Sequence, residues 1–265
     1  MFYSSFKKLA KFFLKQANIS IYTNVPRRRL IKLINLFKPY DLGYNLIRIG
    51  QHNDGGYLVP NILNKSKYCF SPGVGQTSQF EDDLEKIGIK SFIADFSVEK
   101  VQNVKTANFV KKYINSYNSK NTLNINDWIR TSTNEGEENF ILQMDVDGGE
   151  LEIIPAISEN NLKKFSILVI EFHYFEFIGN EAFYKLLYPL IKKILEFFEV
   201  CHIHPNNCSS LFEVNSIKFP SALEVTFLNK KFIKKKEKIE HLPNKLDEKN
   251  IINKKDISLP SYWYD

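Results

Sequence analysis

Short apolar runs recur along the chain, with amphipathic stretches between them. The runs at 68–70, 90–96, 140–144, 165–172, 198–203 and 222–228 read as strands. The stretches at 27–37, 78–88, 151–157 and 181–198 read as helices; Pro39 stops the first, and Pro155 sits inside the third. Trp128 anchors a further helix near 123–129. Residues 46–60 have a different pattern. Ile47 and Ile49 alternate with Arg48, Asn53-Asp54-Gly55-Gly56 forms a turn, and Tyr57-Leu58-Val59 returns, which predicts a β-hairpin. Strands alternating with helices predict an α/β domain, its parallel sheet wound on both faces, with 222–228 as its last strand and free to run antiparallel. At the N-terminus, Phe2, Phe6, Leu9 and Phe13 share one helical face, with Lys7, Lys8, Lys11 and Lys15 elsewhere. This helix is expected to dock on its own domain or on a second copy of the chain. The sharper alternative is weak contact with a membrane surface.

The stretch 68–99 organises the rest: strand, glycine turn, helix, strand. Gly73 and Gly75 allow a sharp bend with no side chain facing a ligand, and Thr77 or Ser78 can cap the following helix. Asp95 ends the second strand, 95 − 73 = 22 residues after Gly73, the distance at which such a unit places an acid on a ribose diol. The third glycine of a dinucleotide fingerprint would fall at Ser78, which disfavours a nicotinamide cofactor. Glu81, Asp82 and Asp83 beyond the turn would repel a phosphate. A cationic ligand carrying an adenosine, such as S-adenosylmethionine, fits better. Ligands in such sheets lie beyond the C-terminal strand ends, where Asp95, Asp145 and Asp147, Glu171 and His173, and His204 and Asn206 all fall.

Composition narrows the class further. The 265 residues are 43% hydrophobic and 25% charged, enough for one large globular domain. The net charge of +6 lies largely in the N-terminal stretch and at 230–238. It fits attraction to an anionic sugar derivative better than nucleic-acid binding, for which no module is present. Three cysteines without a signal peptide imply reduced thiols and a cytoplasmic protein.

Several motifs then resemble one family. The segment ILQMDVDGGELEII (141–154) and the following LVIEFH (168–173) are similar to blocks of the FkbM-like S-adenosylmethionine-dependent methyltransferases. DGGYLVP, FSPGVGQTSQFEDDL, FIADFSV, HIHPNN and LEVTFL extend the resemblance over about 48–228. Asp147 stands where the family usually has Glu, and Pro72-Gly73 where Gly-Ala-Asn is usual. The resemblance implies a class I methyltransferase fold, a Rossmann-like and mostly parallel seven-stranded sheet at 41–232. A helical extension precedes it at 1–40, and a polar, basic tail follows at 233–265. It also implies O-methylation of a sugar hydroxyl, in a nucleotide-linked or capsule-type sugar such as a heptose. Carried over by position, Gly73 and Gly75 take the amino-acid end of the cofactor and Asp95 the ribose. Asp127 lies near the adenine, with Ser71, Ser78, Phe96, Ser97 and Asp145 as further cofactor contacts. Asp54, Tyr57, Asp147, Asn206 and Asn207 are candidates for the acceptor.

An alcohol needs help to lose its proton, and histidine is the favoured base near neutral pH. His173 and His204, beside Asp145, are the catalytic candidates. Asp145, Glu171 and His173 form the candidate site for a divalent metal, the other means of lowering the hydroxyl's pKa. The competing reading is a non-catalytic glycan- or partner-binding protein on the same fold.

Overall fold

The computed structural model describes residues 24–75 and 78–265, so the helix expected at 1–18 lies outside the described residues. Helix α1 (Arg27–Phe37) precedes a hairpin, β1 (Leu46–Gly50) and β2 (Gly56–Pro60). Then follow β3 (Tyr68–Pro72), α2 (Gln79–Lys86), β4 (Lys90–Ala94) and β5 (Asn108–Val110). The second half runs through α3 (Ile125–Ser132), β6 (Phe140–Met144), α4 (Glu150–Ala156), β7 (Phe165–Phe172), α5 (Glu181–Phe197), β8 (Phe198–Pro205) and β9 (Leu223–Asn229).

Seven strands form one sheet in the order β5-β4-β3-β6-β7-β9-β8. Only β9 runs antiparallel to its neighbours β7 and β8. Counting sheet strands alone, the order is 3-2-1-4-5-7-6 with the seventh reversed, which is the mostly parallel Rossmann-like sheet of a class I methyltransferase. The strand order reverses direction between β3 and β6, the switch point beside which such sheets bind ligands.

The two faces of the sheet are covered differently. One packs Phe70, Leu142, Leu168, Ile170 and Phe227 against α1, α3, α4 and α5 in a continuous core. The other packs Cys69, Ile141, Ile167 and Leu228 against α2 and the hairpin. On this second face the side chains change row by row toward the C-terminal strand ends. Ile141, Ile167 and Leu228 make an apolar row. Gln143, Val169, Thr226 and His202 make a mixed row. Glu171, Glu224 and His204 make an ionisable one, with Asp145 just past the end of β6. The hairpin closes over these rows, clipped to the sheet where Thr226 Oγ1 donates to the Leu58 carbonyl at 2.7 Å.

The chain beyond residue 232 is polar in composition, yet it folds back onto the domain. Glu237–Lys238 pairs with Tyr40–Asp41, and Trp263 is fully buried against Phe37 and Phe219. Asn207 Nδ2 donates to the Ile251 carbonyl while its Oδ1 accepts from the Ile251 N–H, fastening the segment across the strand ends.

At the switch point the backbones come too close for side chains. Gly73 has φ +79°, and a Cβ there would lie 2.1 Å from the Asp145 carbonyl oxygen. Gly75 has φ +64°, and a Cβ there would meet nothing within 4 Å among the described residues. Gly73→Ala should therefore lose about 1–3 kcal/mol or more in urea unfolding, and Gly75→Ala about 1 kcal/mol from backbone strain alone. Equal losses would show that the close approach at Gly73 is not what restricts it.

Candidate active site

Four carboxylates converge at the strand ends. Glu171 and Glu224 stand directly opposite each other on β7 and β9, and His204 faces Glu224 from β8. Like charges in this register repel. His204 Nδ1 lies 3.3 Å from Glu224, Asn206 Nδ2 donates to Glu171 at 2.9 Å, and Asn250 Nδ2 donates to both Glu224 (2.6 Å) and Asp54 (3.0 Å). Burial, reinforced by Asp145 and Glu224, holds the Glu171 carboxyl well above the usual carboxylate range, with Asn206 acting against the shift. Burial likewise pushes Asp145 to about 7; His173 opposes the shift, and Asp54, Asp147 and Glu224 add to it.

His173 follows the end of β7. Its backbone N–H donates to Glu150 Oε1 at 2.8 Å, a carboxylate fully buried at the start of α4. Its Nδ1 lies 3.5 Å from Glu150, and its Nε2 lies 3.6 Å from Asp145, 3.7 Å from Glu171 and 3.8 Å from Asp147. Burial alone would lower this pKa; Glu150, then Asp145 and Asp147, outweigh it and raise it above the ordinary histidine value. Burial lowers and Glu224 raises the pKa of His204, and the net shift is again upward.

Beside this cluster, between the hairpin, the glycine turn and the start of α2, lies a cavity of about 120 Å³. Asp54, Tyr57, Gly73, Glu81, Gln143 and Asp145 are among its lining residues, which among the described residues include no Lys or Arg. Glu81 Oε1 and Gln143 Oε1 are buried without a hydrogen-bond partner among the described residues. Burial raises the Glu81 pKa, opposed by the Ser71 hydroxyl. Tyr57 is buried at the cavity wall, and its phenol is pushed well up by burial and then by Asp145, Glu171, Glu224 and Asp54.

Asp95 and His204 stand outside the cavity lining. Asp95 Oδ2 accepts from the Gly75 N–H at 2.8 Å, and Oδ1 accepts from the Ser97 N–H and hydroxyl at 2.7 Å each. The carboxylate thus ties the glycine turn to the end of β4. Phe96 packs against Tyr113 with ring centroids 5.2 Å apart. Ser71 and Ser78 are buried; Ser78 makes no cap bond to α2, and its hydroxyl donates to the Gln102 carbonyl. Asp127 lies on α3, bonded to Asn118 and Arg130. Asp147 projects almost entirely into solvent. Asn206 belongs to the carboxylate cluster, whereas both ends of the Asn207 amide are occupied by the C-terminal segment.

Sequence reasoning missed Gln143, Glu150, Glu224 and Asn250 as members of the site. Gln143 and Glu224 did carry a signal: Gln143 is the one polar residue of an apolar strand, and Glu224 is a charged residue inside a mostly apolar one. Asn250 carried none, because only the fold brings it back to the strand ends.

An acid whose pKa is raised in the folded state binds its proton more tightly there than when unfolded. Stability is then fullest at low pH and is lost as pH rises through the folded pKa. For Asp145 the loss runs from the ordinary carboxylate range up to about 7, and Glu171, raised by burial, adds a loss of the same sign. The chelator-treated protein should therefore have a higher Tm at pH 5.5 than at pH 8, and Glu171→Gln should shrink that difference. A wild-type Tm that rises steadily with pH would contradict it.

Comparison with known proteins identifies a family. The family model of the methyltransferase FkbM domain matches residues 17–206. Among solved structures, the chain is similar to a TehB-like SAM-dependent methyltransferase from Corynebacterium glutamicum, at 14% identity and a TM-score of 0.33. That match covers 86% of this chain and 98% of the other. Comparison with curated proteins gives no match. Because the family model spans well over half of its length, the chain belongs to the methyltransferases with an FkbM domain.

Proposed function

We propose that the protein is an S-adenosylmethionine-dependent O-methyltransferase acting on a sugar hydroxyl, the sugar being nucleotide-linked. The observation that carries this reading is the cavity whose wall holds two buried, unpartnered acceptors, Glu81 Oε1 and Gln143 Oε1, beside Asp54 and Asp145. A wall of acceptors suits a ligand bearing positive charge and N–H donors, and S-adenosylmethionine has both in its sulfonium and ammonium groups. When bound, that cofactor supplies an electrophilic methyl group. Gly73 and Gly75 leave the turn open to it, Glu81 and Gln143 receive the ammonium end, and Asp95 with Phe96 and Ser97 flank the adenosine end. Asp127 stays assigned to the adenine side, with Ser71 and Ser78 shaping the turn from beneath.

His173 Nε2 is the general base that takes the acceptor hydroxyl's proton as the methyl–oxygen bond forms and the methyl–sulfur bond breaks, which would leave the neutral thioether S-adenosylhomocysteine. Glu150 holds its backbone, and Asp145 stabilises the imidazolium that results. His204 acts from farther back, through Glu224. Asp54, Tyr57, Asp147 and Asn206 surround the place where a sugar hydroxyl would lie, and Asn207 holds the segment that closes it. Carboxylates suit this acceptor because they accept hydrogen bonds from neighbouring sugar hydroxyls. The excess of Lys and Arg elsewhere favours an anionic sugar carrier.

Mass spectrometry tests the reaction: incubation with S-adenosylmethionine and a panel of nucleotide-sugars should add one methyl group to one of them. No methylated sugar, together with no calorimetric binding of the cofactor, would support a binding protein instead. His173→Gln should lower kcat about 10²–10⁴-fold with cofactor affinity unchanged. It should also remove an acidic limb of the pH–rate profile that lies above the ordinary histidine pKa; a variant that keeps the limb excludes His173 as the base. Glu81→Gln should weaken S-adenosylmethionine but not 5′-methylthioadenosine, which lacks the ammonium group. Equal effects on both ligands would refute the role given to Glu81.

A further inference from the structure

Two sets of ligands compete for Glu171. Asp145, Glu171 and His173 bring ligand atoms within 4.8 Å of one another, and so do Asp54, Glu171 and Glu224. A cation on the first set would occupy the imidazole that the proposed chemistry needs as a base. A cation on the second leaves it free.

The second set has the features of a built cation site. Glu171 and Glu224 are cross-strand partners, both almost completely buried, with no Lys or Arg ion pair to either among the described residues. Across an antiparallel pair this arrangement is repulsive, and it worsens with burial. Something positive must lie between them for both to ionise. In the structure, the amide of Asn250 donates to Glu224 and Asp54 at once, and that of Asn206 donates to Glu171. Asn250 is itself only 7% exposed, yet its Oδ1 has no hydrogen-bond partner. Nothing else bonded to that amide fixes its orientation, so rotation by half a turn exchanges its nitrogen for its oxygen. A cation would then meet three carboxylates and one amide oxygen. Asp54 also lines the cavity assigned to the cofactor and is one of the residues placed around the acceptor hydroxyl, so the site lies where the two would meet.

We propose that Asp54, Glu171, Glu224 and the side-chain oxygen of Asn250 bind one divalent cation. The donors are all oxygens, so a hard ion is selected: Mg²⁺, Mn²⁺ or Ca²⁺, not a thiolate- or imidazole-seeking one. Its place in catalysis rests on the methyltransferase reading: there it holds a sugar oxygen next to His173 and lowers the pKa of that hydroxyl. The C-terminal segment thereby becomes part of the active site, because Asn250 comes from it.

Titrating the chelator-treated full-length chain with Mn²⁺, and reading free Mn²⁺ by electron paramagnetic resonance, tests the assignment. The wild type should bind one ion, displaceable by Mg²⁺. Glu224→Gln and Asn250→Ala should each weaken binding about 10–100-fold. Asn250→Asp should restore it, and His173→Ala should leave it within twofold. Unchanged thermal unfolding and unchanged calorimetric binding of S-adenosylmethionine exclude misfolding as the cause of weakening. No stoichiometric Mn²⁺ in the wild type overturns the site, and so does loss in His173→Ala with Asn250→Ala unaffected. The calorimetry reads the other claim separately: Mn²⁺ bound without S-adenosylmethionine keeps the cation site and removes the methyltransferase reading.

Discussion

Two buried glutamates face each other across adjacent antiparallel strands, and much of the site follows from that pairing. Glu171 and Glu224 take this position because the reversed strand β9 lies between β7 and β8. The chain must then neutralise, protonate or bridge them. It surrounds them with amide donors from Asn206 and Asn250 and with imidazoles from His173 and His204. Every one of these partners lies at a strand end or in a segment that returns to one.

The same arrangement separates holding the fold together from doing chemistry. Toward the N-terminal strand ends, the face under the hairpin is Ile141, Ile167 and Leu228, and the hydrophobic effect holds the layers together there. Two residues further along each strand, polar side chains begin, and two further still they are ionisable. The apolar rows supply the stability that the ionisable row draws down. Gly73 lets β3 and β6 approach closely enough for the turn and the carboxylates to share one cavity.

Much of the fold could be read from the sequence because hydrophobic periodicity reports burial, and burial is what the sheet and its helices supply. The helix at 27–37 and the strands at 140–144 and 165–172 appear with their boundaries unchanged. The strand read at 90–96 ends at Ala94; Asp95 still donates its backbone N–H to the Val110 carbonyl, and its side chain bonds Gly75 and Ser97. The short strand at Asn108–Val110 lies in an Asn- and Lys-rich stretch and has little buried apolar surface to announce it. Site residues at strand ends were legible where the strands were. Asp145, Glu171 and His173 do converge, as their positions implied. Asn250 could not be found this way, because its role comes from the path of residues 233–265, and that path depends on buried groups such as Trp263 and Asn207 that composition conceals.

In the function proposed, the acidic pocket beside the glycine bend takes a cationic methyl donor, and the imidazole next to it removes a proton. Crystals grown with S-adenosylhomocysteine and Mn²⁺ would test both halves together through anomalous scattering. The account predicts a manganese peak between Asp54, Glu171 and Glu224, with the ligand's ammonium group within hydrogen-bond reach of Glu81 and Gln143. A peak on His173 Nε2, or a ligand bound away from the Gly73 turn, would contradict it.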